Sequence, residues 1–159
     1  MVKSIPDSTG RVALPDAPDS MVRATVERVV GAAPTTIRLS IHNTSGEPVT
    51  LNKTSACWRG QIGSDVFVVF PECGSEILDK RIEYIGPYVN YANDNGANEF
   101  VLQPDEAMVR ELSFASSYDI ERWRKKGCSR FILRYQALHR LPPNGKLATV
   151  ESAPLLIEV

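Results

Sequence analysis

TTIRLSIHN, residues 35–43, sets Ile37, Leu39 and Ile41 on one side of the chain and Arg38, Ser40 and His42 on the other. Successive side chains of an extended backbone point to opposite faces, so this is a β-strand with one buried face. The same period continues outward from it. Upstream, Met21–Val30 (MVRATVERVV) repeats it with Val22, Ala24 and Val26. Downstream, Asn43-Thr-Ser-Gly-Glu-Pro48 supplies turn residues, and Val49–Leu51 resumes a short strand. Asp65–Phe70 (DVFVVF) is apolar on both sides, as in a strand covered on both faces.

The rest of the chain follows the same rules. Pro71 to Ser75 reads as a turn, and Ile77–Tyr84 as an extended or edge segment closed by Gly86-Pro87. Residues 88–98 read as a polar loop, Glu99–Leu102 as a short strand and Gln103-Pro-Asp-Glu106 as a turn. Ala107–Phe114 alternates again. Residues 119–126 (DIERWRKK) are expected to form one short helix, with Asp119 as N-cap and cations toward its end. Phe131–Leu138 is a strand, Pro142-Pro-Asn-Gly145 a turn, and Ala148–Val159 one last strand, whose Pro154 places it at an edge. Seven to nine short strands with a single small helix predict an all-β antiparallel sandwich. A parallel sheet would need repeated long helices.

A chain of 159 residues with 43% hydrophobic and 23% charged residues fits one packed domain. The expected division is an extended arm over 1–20, interrupted by Pro6, Pro15 and Pro18, and a single sandwich over 21–159. A net charge of -1 gives no field to attract nucleic acid or an anionic membrane. No apolar run is long enough for a secretory leader or a membrane span. Residue 1 as a native start implies the cytoplasm; removal of a leader implies a periplasmic or secreted protein.

Candidate chemistry is sparse. Cys57, Cys73 and Cys128 lack CxxC spacing. They are expected to be reduced, buried thiols, with a Cys57–Cys73 bridge as the alternative in an oxidising compartment. Thiol catalysis would use Cys57 or Cys128 with His42 or His139. Both histidines are expected at the surface or in turns, and no metal site or cofactor is expected of them. The loop 90–99 is rich in oxygen ligands. It fails the EF-hand pattern, because Gly96 at the turn position puts Tyr91 and Leu102 at the two ends. An irregular calcium loop is the other reading of that stretch. No nucleophile elbow or phosphate loop is present. Asn43-Thr-Ser45 and Asn52-Lys-Thr54 match the glycosylation acceptor pattern and are taken as chance.

Aromatic residues beside cations or turns are the remaining candidates. Arg122-Trp123-Arg124-Lys125-Lys126 has the composition of an interaction hot spot. The competing reading packs Trp123 onto the sandwich with its cations in water. Trp58 stands in a predicted loop beside Arg59. Tyr84, Tyr88 and Tyr91 cluster around Gly86-Pro87, either as packing at the end of the sandwich or as a rigid contact surface. The candidate binding residues are therefore Trp58, Tyr84, Tyr88, Tyr91, Trp123 and Arg124.

Six stretches in order carry a family resemblance: HNTSGEPVTL (42–51), DVFVV (65–69), IEYIGP (82–87), FVLQPDEA (100–107), SSYDI (116–120) and GCSRFILRY (127–135). With them, residues 21–159 resemble the amino-terminal immunoglobulin-like domain of deuterolysin-type and peptidyl-Lys metalloendopeptidases. The chain departs from that pattern at Asp105, where the turn usually has Gly, and at Phe131, where the strand usually has Tyr. The family's His-Glu-x-x-His helix is absent. The resemblance implies an immunoglobulin-like, non-catalytic module whose partner is a protein such as a protease, as inhibitor or folding partner. Loops 52–64 and 86–99 are its expected contact regions. The rival expectations are an enzyme using a Cys/His pair or a loop-bound metal, and a structural subunit.

Overall fold

The computed structural model describes residues 21–91, 98–141 and 146–159. The expected arm over 1–20, the middle of the oxygen-rich loop and the Pro142–Gly145 turn lie outside them. The described residues form ten strands and one helix. In order these are β1 (Val22–Arg28), β2 (Thr36–Asn43), β3 (Val49–Asn52), β4 (Phe67–Cys73), β5 (Glu76–Ile77), β6 (Glu99–Leu102), β7 (Ala107–Ser113), α1 (Ile120–Arg124), β8 (Arg130–Leu141), β9 (Lys146–Glu151) and β10 (Leu155–Glu158). Every strand pairing is antiparallel. The fold is all-β, as the alternation predicts.

One sheet has the order β1-β2-β7, and the other has β10-β8-β4-β5 with β9 also paired to β8. Between them lie the inward-facing residues of period two. Ile37, Leu39 and Ile41 come from β2, Phe67 and Val69 from β4, and Phe131, Leu133 and Tyr135 from β8. All of these are buried because β8 and β2 are interior strands, each with a neighbour on both sides. Burying a large apolar side chain contributes roughly 1.5–3 kcal/mol, so this layer dominates the stability.

The segment after β2 is not a hairpin. β3 pairs with β6 and continues alongside the β2–β7 ladder, so the two strands bend together. Asn43, fully buried, secures the bend. Its Nδ2 donates to the carbonyls of Glu47 (2.8 Å) and Leu102 (2.9 Å), while its Oδ1 accepts from the Ser45 amide and hydroxyl. Opposite it, Gln103-Pro104-Asp105-Glu106 closes with the Glu106 amide on the Gln103 carbonyl, and Asp105 has φ 64°. Proline second and a left-handed residue third is type II turn geometry. Glycine is the residue that meets this conformation at least cost. Aspartate tolerates the conformation better than most residues, and here it also accepts from His42 at 2.9 Å.

Several expectations are corrected. Among the described residues there are ten strands rather than seven to nine, partly because the last expected strand splits at Pro154 into β9 and β10. Across the break, the Ser152 Oγ accepts from the Tyr135 amide, and the Ser152 amide donates to the Tyr135 carbonyl. The register shifts by one residue there, which is a bulge. Pro71 lies inside β4 rather than in the turn. Its carbonyl accepts from Leu78 on the side away from β8, so its missing N–H removes no bond from the β4–β8 ladder. Asp119 makes no side-chain cap, and α1 spans only five residues. It is held instead by burial of Ile120 and Trp123, one turn apart.

The cysteines also differ from expectation. Cys73 and Cys128 form a disulfide with Cα atoms 4.4 Å apart, and Cys57 is the free, buried thiol. Neither the fully reduced set nor a Cys57–Cys73 bridge is present. The register explains it: Glu72 pairs with Arg130, so Cys73 at the end of β4 meets the chain just before β8. The bond therefore links neighbours within one sheet. It closes a sequence separation of 55, for which the loss of loop-closure entropy contributes about 4 kcal/mol. Reducing it, or replacing both cysteines by serine, is expected to lower the unfolding free energy by about 3–4 kcal/mol in a urea titration.

Candidate functional site

The two loops singled out from the sequence come together. Among the described residues, four hydrogen bonds join the chain between β3 and β4 to Val89 and Asn98, and a fifth closes the second loop on itself. Val89 donates its amide to the Gly63 carbonyl (2.8 Å), and Thr54 donates its hydroxyl to the Val89 carbonyl (2.6 Å) and to Asn98 Oδ1 (3.2 Å). Lys53 donates its amide to the Asn98 carbonyl (2.9 Å), and Tyr91 donates its amide to Asn98 Oδ1 (3.0 Å).

An aromatic series rises from the core into this region. Phe67 and Tyr118 meet edge-on at 6.3 Å, Tyr118 and Tyr84 at 5.2 Å, and Tyr84 and Tyr88 at 5.4 Å. Tyr118 is fixed at its far end. Its hydroxyl accepts from the Phe67 amide (2.8 Å) and donates to Asp65 (2.9 Å), which Arg81 neutralises at 3.1 Å. Burial raises the Tyr118 hydroxyl well above its ordinary pKa, so it remains a donor at any physiological pH. Tyr84 donates to the Pro87 carbonyl, and burial together with neighbouring Tyr88 pushes it up to about 12. A Cβ on Gly86 would stand 2.9 Å from the Tyr84 oxygen and 3.0 Å from Ser117 Oγ, so glycine lets the loop close over that ring.

The six candidate residues have different fates. Tyr88 is 77% exposed at the top of the series, and Tyr84 is half-buried beneath it. Trp58 is half-buried, 4.4 Å from Phe100, with Lys53 and Arg110 over its ring at 5.2 and 5.4 Å. Its carbonyl accepts from Arg110 Nε at 2.7 Å. Tyr91 is buried under Arg59, and Trp123 is buried with Lys126 4.6 Å above it. Those two side chains belong to the packing rather than to a surface. Arg124 is exposed on α1 and bonded to Glu121 at 2.8 Å. No hydrogen bond or ring contact joins α1 to the Tyr84–Tyr88 pair among the described residues.

The histidine expectation holds at the surface only for His42. His139 is buried, 1% exposed, on the inward face of β8. Its Nδ1 accepts from the Asn52 amide (3.2 Å), and its Nε2 lies 3.0 Å from the Tyr135 oxygen. Tyr135 uses its own hydrogen on the Ser55 carbonyl (2.6 Å), so Nε2 carries the proton and His139 is neutral. This relay ties the 52–64 loop to β8. It was legible in principle, because Tyr135 and His139 are four residues apart on one strand and share a face. Cys128 is occupied by its disulfide, and burial pushes the Cys57 thiol up to about 12. Neither is arranged as a thiolate nucleophile. Among the described residues no cluster of three metal-ligating side chains occurs. No protein-family profile matches the chain, and no curated protein aligns with it as a relative.

The relay makes stability depend on pH. Burial alone lowers the His139 pKa from 6.5 to about 4. Between those values the unfolded chain binds a proton that the folded one does not, so stability is full above pH 6.5 and falls as the pH drops toward 4. The loss is expected to be about 3 kcal/mol, measured by urea unfolding at stepped pH. A His139→Leu variant is expected to be less stable at pH 7 and to lose that slope.

Proposed function

We propose that this chain is a non-catalytic protein-interaction module whose contact surface is the joined pair of loops 52–64 and 84–91. The observation that carries the reading is Tyr88, 77% exposed yet seated edge-on against Tyr84, which rests on the core residue Tyr118. Ile85, 54% exposed, lies in the same short segment. An exposed aromatic held in place loses little side-chain entropy when a partner covers it, which is the character of a binding anchor. The loop backbone is already fixed by its hydrogen bonds and by the close approach at Gly86.

The immunoglobulin-like assignment is part of the same proposal. Two facing antiparallel sheets and a short helix between β7 and β8 support it. The disulfide inside one sheet departs from the inter-sheet bridge of antibody domains. From the resemblance we take the partner to be a metalloendopeptidase, with this chain as its inhibitor or folding partner.

The test immobilises the protein and presents it with metalloendopeptidases of the source cell. The wild type is expected to retain a protease, and a Tyr88→Ala, Ile85→Arg double variant about ten-fold less at an unchanged melting temperature. Equal retention by both proteins would remove this surface from the proposal. Retention of no metalloprotease by the wild type would remove the protease.

A further inference from the structure

β8 turns Ile132, Arg134, Gln136 and Leu138 away from the core, alternating with the buried Phe131, Leu133, Tyr135 and Ala137. Register sets their neighbours on the same outer face. Phe70 and Leu156 flank Ile132, while Val68 stands beside Arg134. Glu151 stands beside Gln136, and Leu147 lies two residues along β9 from the Leu138 partner. Along the strand the face thus reads apolar, cation, anion, apolar. Both apolar ends are open to water: Leu156 is 39% exposed, Leu138 54% and Leu147 57%.

Among the described residues Arg134 has no ion pair, and its Nε is out of water without a hydrogen-bond partner. Glu151, one step along the same face, is exposed and accepts from the Gln136 side-chain amide at 2.8 Å. A row whose apolar ends match and whose two central charges exchange sign on reversal is self-complementary under a two-fold axis. With that axis crossing the strand between 134 and 136, the Ile132 row of one copy lies on Leu138 and Leu147 of the other. The same operation sets each Arg134 opposite the other copy's Glu151.

We propose that this outer face of β8 is a homodimer interface, the two β8 strands packing antiparallel face to face. The face spans about ten residues of strand, about 34 Å, and is three strands wide beside residues 130–135 and two strands wide beside 136–141, about 10–15 Å. That is about 400 Å² in projection on each copy, at the lower limit of specific interfaces, so a weak, concentration-dependent dimer is expected. The surface is separate from the loop pair above, and the proposal stands without that reading.

Sedimentation velocity from about 1 to about 200 µM tests it. The wild type is expected to pass from monomer to dimer with rising concentration. Leu138→Glu is expected to weaken association at least about ten-fold with an unchanged thermal melt, because the side chain is solvent-exposed. Glu151→Arg and Arg134→Glu are each expected to weaken association, and the double charge swap to restore it. A wild type monomeric throughout would overturn the proposal. So would a dimer that persists in folded Leu138→Glu, or a folded double swap that stays as weak as Glu151→Arg alone.

Discussion

Every element of the fold answers to one constraint: β8 must bury every second side chain while keeping its backbone paired. β4 and β10 pair with its first half and β9 with its second. β1 and β3 lie across from it in the opposing layer. The bulge at Ser152 keeps that pairing continuous where Pro154 cannot donate. An unpaired amide in this layer would cost roughly 1–3 kcal/mol, and the serine hydroxyl accepts the one that the proline region leaves over. Length and continuity in one strand thus set the positions of the loops at either end.

The loops inherit their rigidity from the same layer. Tyr135 and His139 extend the apolar face of β8 with groups that can hydrogen-bond, and these hold the start of the 52–64 segment. Tyr118 performs the matching role from the segment between β7 and α1 by receiving the first amide of β4. In both cases a buried polar side chain joins a regular element to an irregular one. Fully satisfied networks of this kind specify one arrangement of a loop more sharply than apolar packing does.

Much of this was legible in the sequence, and the failures have physical causes. Thr35–Asn43 and Ala107–Phe114 read correctly because each buries a single face, which is where period two is strongest. Pro71 was misread because a proline breaks a strand only when its N–H faces a paired neighbour, and sequence does not say which way it faces. The Cys73–Cys128 link depended on register, a long-range property. His139 was missed by treating histidine as polar before asking which face of the strand it occupied. Tyr91 and Trp123 carried the composition of contact residues but lie under Arg59 and Lys126, so composition did not reveal depth. Asp105 stands in the third position of a turn, and its left-handed backbone was not readable from an aspartate, where a glycine would have announced it.

The state of the three cysteines has a practical consequence. Two are joined to each other, and the third is enclosed with its proton held tightly. The native protein therefore presents no thiolate to an alkylating reagent. A cysteine introduced at the loop tip would be the sole attachment point for a fluorophore or spin label, with no need to strip the natural ones first.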